Sequence, residues 1–324
     1  RTIIYGPSPA DSVPMSFFRL YHSFMCENCI PVEIEGSWLK NNHKQYEIAS
    51  SNLWSVSHQY RGHLEASLSN TLIQPVTLSD CLKAAEQSDV RVWTVEQKAD
   101  HYLQQWGDFA DDPLAFCFRK AGRLYYGLVN QPKSLRRQFI QFRWGGDIVP
   151  TAEIDLSSSY WAFLLAMLPP GDDVDVLAKD LEDGLVYERL ASACTTQQWP
   201  DRRKLKVAVQ VQCLFGQDGF GKQPLWGALS TRYPTLARYV AAVRLGKGHV
   251  LRQDGARELS RLLTTAEGAF FIDRLLADLA SKGIPALPIH DAVIVPAPVA
   301  ETVRAYAEAA IRKLGIPGRF HVTM

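Results

Sequence analysis

The stretch Ile284-Pro-Ala-Leu-Pro-Ile-His-Asp-Ala-Val-Ile-Val-Pro296 decides how this chain is read. Two apolar runs, Ile284–Ile289 and Ala292–Val295, flank one polar pair, His290-Asp291. Short β-branched runs of this kind read as buried strands, with the polar pair at the tight connection between them. A carboxylate at the tip of an apolar hairpin is costly unless something pairs with it, and a metal ion is the partner its chemistry favours. A second carboxylate in a similar setting supports that reading. Asp155 closes the run Ile148-Val-Pro-Thr-Ala-Glu-Ile-Asp155, just ahead of an apolar, helical segment, Tyr160–Leu168. Two strand-borne aspartates well apart in sequence are the minimum set for a two-metal phosphoryl-transfer site. Glu153, two positions earlier on the same strand face, is an alternative ligand.

The bulk numbers allow such a protein and narrow its partners. With 324 residues and 47% hydrophobic content the chain can bury a large core, as one large domain or two modest ones. The net charge of +1 carries no overall signal for polyanion binding, so nucleic-acid contacts must come from local patches. No apolar run approaches the ~20 residues that span a bilayer, and no membrane partner is expected. Six scattered cysteines do not form a disulfide framework, so a reduced, cytoplasmic protein is expected. The chain opens on Arg1 rather than Met, as a processed product or a fragment does.

Residues 1–115 are expected to form a mixed N-terminal region of unassigned role. Thr2–Tyr5 reads as a strand and Phe17–Met25 as an aromatic element. Cys26-Glu-Asn-Cys29, near His22 and His43, has metal-ligand spacing but no second cysteine pair to complete a zinc site. Leu78–Ser88 and Val95–Trp106 read as amphipathic helices, the second ending before Gly107. The acidic loop Asp108–Pro113 marks the best domain boundary. Beyond it, residues 116–143 interleave Arg119, Lys120, Arg123, Lys133, Arg136, Arg137 and Arg143 with Phe118, Tyr125, Tyr126, Phe139 and Phe142. Such a mixture suits a surface that tracks a phosphate backbone and touches bases or sugars; a solvated basic face over an aromatic core is the other reading.

Further along, Pro169-Pro-Gly-Asp-Asp173 is a turn by composition, and residues 174–193 read as one helical stretch. Arg202-Arg-Lys-Leu-Lys206 then opens a helix through Phe215 with a basic first turn, which opposes the helix dipole and points to an external anion. Tyr233–Leu245 and Ala269–Ser281 read as helices, Gly283 closing the latter. Glu301–Leu314 is an amphipathic helix stopped by Gly315, and Phe320–Thr323 a final strand.

Asp155-Leu-Ser-Ser-Ser-Tyr160 and Ile289-His-Asp-Ala-Val293 resemble motifs A and C of family A DNA polymerases. Gly122-Arg-Leu124 lies upstream at about the family's distance, and Arg202 and Lys206 match the spacing of its motif B. Phe215-Gly216 stands one residue late for that motif's aromatic and Tyr-Gly, and Glu267-Gly268 replaces a Gln-Gly pair. The resemblance covers residues 122–296. It implies an α/β (α+β) polymerase palm with a small antiparallel sheet, over 116–324, carrying helical fingers inserted at about 170–250. It also implies a template-dependent nucleotidyltransferase of a minimal, phage- or plasmid-borne kind, working in DNA replication on a DNA template-primer and nucleoside triphosphates.

The cofactors so implied are two Mg²⁺ or Mn²⁺ ions, held by Asp155, the Leu156 carbonyl and Asp291. Lys206 and Arg202 would clamp the triphosphate. Arg123 would reach the primer end and Arg136 and Arg137 the nucleic-acid backbone. His290 would orient the primer or serve as a structural histidine. Tyr160 stands where the family's DNA polymerases place a sugar-gating glutamate; gating by bulk and plain core packing are both open for it. Ala292 replaces the acidic residue that usually follows His-Asp. Rival readings are an RNA-synthesising primase or single-subunit RNA polymerase relative, a non-catalytic nucleic-acid-binding palm, and a metal-dependent nuclease.

Overall fold

The computed structural model describes residues 60–88, 93–115, 117–120, 122–194, 199, 201–216, 221–245 and 255–324. The readings for Thr2–Tyr5, Phe17–Met25 and the Cys26/Cys29 pair with His22 and His43 fall outside these residues. The fold is mixed α/β, with an antiparallel sheet and many helices. The chain divides into two compact units. One contains Leu156–Glu267 and Glu308–Arg319; the other contains the described residues up to Asp155 together with Gly268–Ala307 and Phe320–Met324. Residues on both sides of position 115 therefore share a unit.

The sheet belongs to the second of these units. Its strands are β1 (Thr71–Ile73), β4 (Ile140–Trp144), β5 (Asp147–Leu156), β6 (Leu287–Ile289), β7 (Ala292–Pro296) and β8 (Phe320–Thr323), in the order β1-β4-β5-β7-β6, with β8 also against β5. A separate hairpin pairs β2 (Phe118–Lys120) with β3 (Arg123–Tyr125). The tight Gly145-Gly146 connection between β4 and β5 requires left-handed backbone at both residues, φ 62° and 94°. Along β5 the side chains alternate between faces: Ala152, Ile154 and Leu156 share one and Thr151, Glu153 and Asp155 the other, and both faces are buried over Thr151–Ile154, with Asp155 half-buried. β6 and β7 are apolar throughout and buried, as two-faced coverage demands.

The flanking helices start and stop for readable reasons. Thr77 with Asp80, and Thr94 with Gln97, form capping boxes at the starts of Leu78–Glu86 and Val95–Asp111. The second helix runs through Gly107 to Asp111, so the expected stop before Gly107 is corrected. Glycine in a helix interior costs only ~1 kcal/mol, and the burial of Trp106 and Phe109 on either side of it outweighs that. Trp106 also donates its indole N–H to the Gln74 carbonyl at 2.9 Å, tying this helix to the chain that leaves β1.

In the other unit the single helix expected over 174–193 is two, Asp172–Glu182 and Val186–Ala193. Gly184 at φ 72° makes the break, and the Leu185 amide bonds back to the Asp180 carbonyl at 2.8 Å, a Schellman closure. The same closure ends the helices before Gly283 and Gly315, with Ile284 bonding to Leu279 and Ile316 to Ile311. Among the described residues, helices with no counterpart in the sequence reading are 60–69, Lys133–Phe139, Pro224–Arg232 and Gly255–Gly268. The basic helix is α-helical over Arg202–Val209 and π-helical over Gln210–Phe215. Likewise, Ala269–Leu276 is π-helical before α-helix resumes at Ala277–Ser281. No helix among the described residues is long and apolar enough to cross a membrane.

Candidate active site

The two aspartates meet through strand register. β5 and β7 are antiparallel, with Asp155 opposite Ala292, and Ala292 is also paired with Ile289 across the hairpin. His290-Asp291 is thus a two-residue turn, and Asp291 precedes the residue facing Asp155. Directly paired residues on antiparallel strands have Cα atoms ~4.5–5.5 Å apart, and the next residue lies 3.8 Å along the chain. The two carboxylates therefore leave the same end of adjacent strands, and both are half-buried. His290 takes φ 49°, the left-handed backbone that primed hairpin turns demand at their first central position.

Side chains of the same unit surround this turn. The Tyr125 ring stands edge-on to His290 with centroids 5.7 Å apart, and the Tyr126 hydroxyl donates to the Pro288 carbonyl at 3.2 Å. Burial first, and then the positive charges of Arg123 and Arg136, push the His290 imidazole below its ordinary range against the pull of Asp291. Its Nδ1 is buried and makes no hydrogen bond among the described residues. Arg123 lies two residues before Tyr125 on β3, and Tyr125 meets His290, so this hairpin brings the Gly-Arg-Leu segment towards the turn.

The Gly-Arg-Leu segment is held from behind. Arg119 grips Asp273 through two nitrogens, at 2.7 and 2.8 Å, and donates its Nε–H to the Gly122 carbonyl at 2.9 Å. Gly268 lies against the same peptide: a Cβ there would stand 2.1 Å from the Gly122 oxygen. The second residue of Glu267-Gly268 is therefore a steric requirement. Glu267 is itself buried, 3.4 Å from the Ser159 hydroxyl.

Arg136 is not placed on a nucleic-acid-facing surface. It is buried, donates to the Gln131 carbonyl and lies 3.3 Å from Glu153, whose other oxygen takes Lys133 at 2.7 Å. The physical reason is the buried carboxylate of Glu153, which would be untenable without cations. The same pairing engages both Glu153 oxygens and separates it in role from Asp155. Arg137 is half-buried.

In the other unit Arg202 and Lys206 fall on one helix face, as their four-residue spacing requires. Both cations lie 5.8 Å from the centroid of the Tyr187 ring. Arg202 is also 2.5 Å from Glu188 and bonds the Gly184 carbonyl at 3.0 Å. That ion pair is solvent-exposed, worth less than ~1 kcal/mol, so a phosphate can replace the carboxylate. The basic first turn is balanced by Asp201, an N-cap that accepts the Lys204 amide at 2.8 Å and that sequence reasoning passed over. Tyr160 is half-buried and packs edge-on to Phe215 at 5.3 Å, a contact that fits both readings open for it.

The helix reaches its Phe215-Gly216 end through a π turn: a π segment is in effect one residue inserted into an α-helix, and Gln210–Phe215 lies between Lys206 and Gly216. Gly216 follows of necessity, since a Cβ would stand 2.1 Å from the Val211 carbonyl oxygen.

As to metals, no group of three or more His, Cys, Asp or Glu side chains suited to one ion occurs among the described residues. Asp155 and Asp291, with backbone carbonyls beside them, nonetheless form an oxygen-only donor set at one strand end. That set suits a hard divalent cation, which retains waters and takes further oxygens from a phosphate substrate.

No protein-family model and no curated protein matches the chain. Among solved structures it is similar to the POL domain of Pol1 from M. smegmatis, in a complex with DNA primer-template and dNTP, at 13% identity and a TM-score of 0.47. The match covers 83% of this chain and 64% of that one.

Proposed function

We propose that this chain is a template-dependent nucleotidyltransferase of the family A DNA polymerase kind, extending a primer with nucleoside triphosphates. The observation that carries the proposal is the register that sets Asp155 beside the His290-Asp291 turn. Asp155, the Leu156 carbonyl and Asp291 would hold Mg²⁺ or Mn²⁺. Bound there, such ions make a primer 3′-hydroxyl more acidic and stabilise charge on the transferring phosphate. The protein's own groups position the reactants. Arg123, on a hairpin fixed by Arg119 and Asp273, is assigned to the primer end. His290, in the turn beside Asp291, is assigned to orient the primer end. Arg202 and Lys206, sharing one helix face, are assigned to the triphosphate, where cationic clamps act in phosphoryl transfer generally.

The test is extension of a labelled primer on a DNA template with Mg²⁺ or Mn²⁺, using ribo- and deoxyribonucleotides separately. Extension that falls ~100-fold or more in Asp291→Asn, with primer binding retained, is the expected result. Primer shortening identifies a nuclease instead. Binding without turnover identifies a non-catalytic module. Ribonucleotide preference assigns the chain to RNA synthesis.

A further inference from the structure

We propose that Phe118, backed by Tyr125, is a stacking platform for a nucleobase at the end or overhang of the bound nucleic-acid strand. The two residues are direct cross-strand partners in the β2–β3 hairpin. Their rings are nearly parallel, 11° apart, with centroids at 5.2 Å. Phe118 is 54% exposed, so one face of its ring is covered by Tyr125 and the other is open to a ligand. Tyr125 in turn meets His290 edge-on. An aromatic chain thus runs from solvent to the two-aspartate turn.

A solitary exposed phenylalanine needs no explanation, but this one differs in three ways. It is stacked, which limits both rings to few rotamers. It sits on a hairpin held rigid by the Arg119–Asp273 pair and the Gly122–Gly268 contact, so an incoming planar group meets a surface already organised for it. Its hairpin also carries a cation, since Arg123 lies two residues before Tyr125 on β3. Aromatic rings among cations on a preformed strand are the elements from which sequence-tolerant nucleobase stacking is built. The occupant is taken to be nucleic acid on the strength of the nucleotidyltransferase reading, and the experiment separates the two claims.

The experiment places 2-aminopurine singly at positions of the primer terminus, the template overhang and the duplex interior, and measures quenching and affinity on binding. In the wild-type chain quenching is expected at an end or overhang position and not in the duplex interior. Phe118→Ala should abolish that quenching and weaken binding about tenfold or more, while Phe118→Trp retains both. Unfolding of Phe118→Ala is followed by circular dichroism, and a wild-type profile is expected for so exposed a side chain. Unchanged quenching and affinity in Phe118→Ala overturn the platform, even where primer extension is normal. A wild-type chain that quenches through Phe118 but never extends a primer overturns the catalytic reading and upholds the platform. A wild-type chain that binds no nucleic acid overturns the platform.

Discussion

Gly268→Ala sets two physical effects of opposite sign against each other, and the structure decides between them. Gly268 has helical backbone, φ −62° and ψ −38°, so on propensity alone alanine should stabilise the protein by ~1 kcal/mol. The new methyl, however, would meet the Gly122 oxygen at 2.1 Å and its carbonyl carbon at 2.3 Å. Carbon contacts relax only near 3.5 Å, so two stretches of backbone must part by more than ~1 Å. Overpacking of side chains typically costs ~1–3 kcal/mol; here no flexible side chain can yield, and the upper end applies. A net loss of about 2 kcal/mol follows, lowering the melting temperature by roughly 4–8 °C. Gly107→Ala is the control in the same unit: it is helical and exposed, with nothing within 4 Å of the added carbon. It should raise the melting temperature by roughly 2–4 °C. Thermal unfolding of both variants by circular dichroism checks the argument. A Gly268→Ala protein that melts at or above the wild type refutes it.

Further predictions concern buried charge, acid stability and sugar choice. Glu153→Gln removes the counter-charge of buried Arg136 and should cost ~3–5 kcal/mol in urea unfolding, whereas Glu188→Gln, which breaks an exposed pair with Arg202, should cost less than ~1 kcal/mol. Burial alone would raise the Asp180 carboxyl, but hydrogen bonds from Tyr233 and Arg232 and the charges of Arg232 and Arg189 outweigh it and hold the group below the usual aspartate range. Its contribution is therefore complete above the unfolded aspartate value near 4 and is lost as pH falls through the lower folded value. Acid titrations of unfolding should show Asp180→Asn less stable than wild type at neutral pH, the gap closing as pH falls below about 4. If Tyr160 gates the sugar, Tyr160→Ala should raise ribonucleotide use relative to deoxyribonucleotide in extension assays; an unchanged ratio assigns Tyr160 to packing against Phe215.

The hairpin at the centre of the site was legible because its signal is local: two β-branched runs around a polar pair admit few other structures. Glycine stops at Gly283 and Gly315 were legible for the same reason. Misses came from effects that sequence does not order by size. Gly107 reads as a stop because glycine costs helix stability, while the burial of Trp106 and Phe109 that overrides it depends on tertiary packing. Gly184 gives no such signal in sequence, because the apolar spacing continues across it. Arg136 and Arg137 are indistinguishable in sequence, and only the position of Glu153 shows which one turns inward. Leu259, Leu262, Leu263 and Ala266 carry a helical period that marks Gly255–Gly268 plainly. The π segments leave no such mark, since one inserted residue shifts the apolar period only slightly.

The π segment at Gln210–Phe215 also bears on how this chain can change length. A helix interior ordinarily cannot lose a residue, because every side chain beyond the deletion rotates by about 100°. Here the widened turn stores the surplus residue, and its removal would return the segment to α geometry with both ends keeping their facing. The cationic pair at Arg202 and Lys206 and the Phe215-Gly216 end are thereby insulated from each other's insertions and deletions. A scan of single-residue deletions along Arg202–Phe215 should find tolerance confined to this turn.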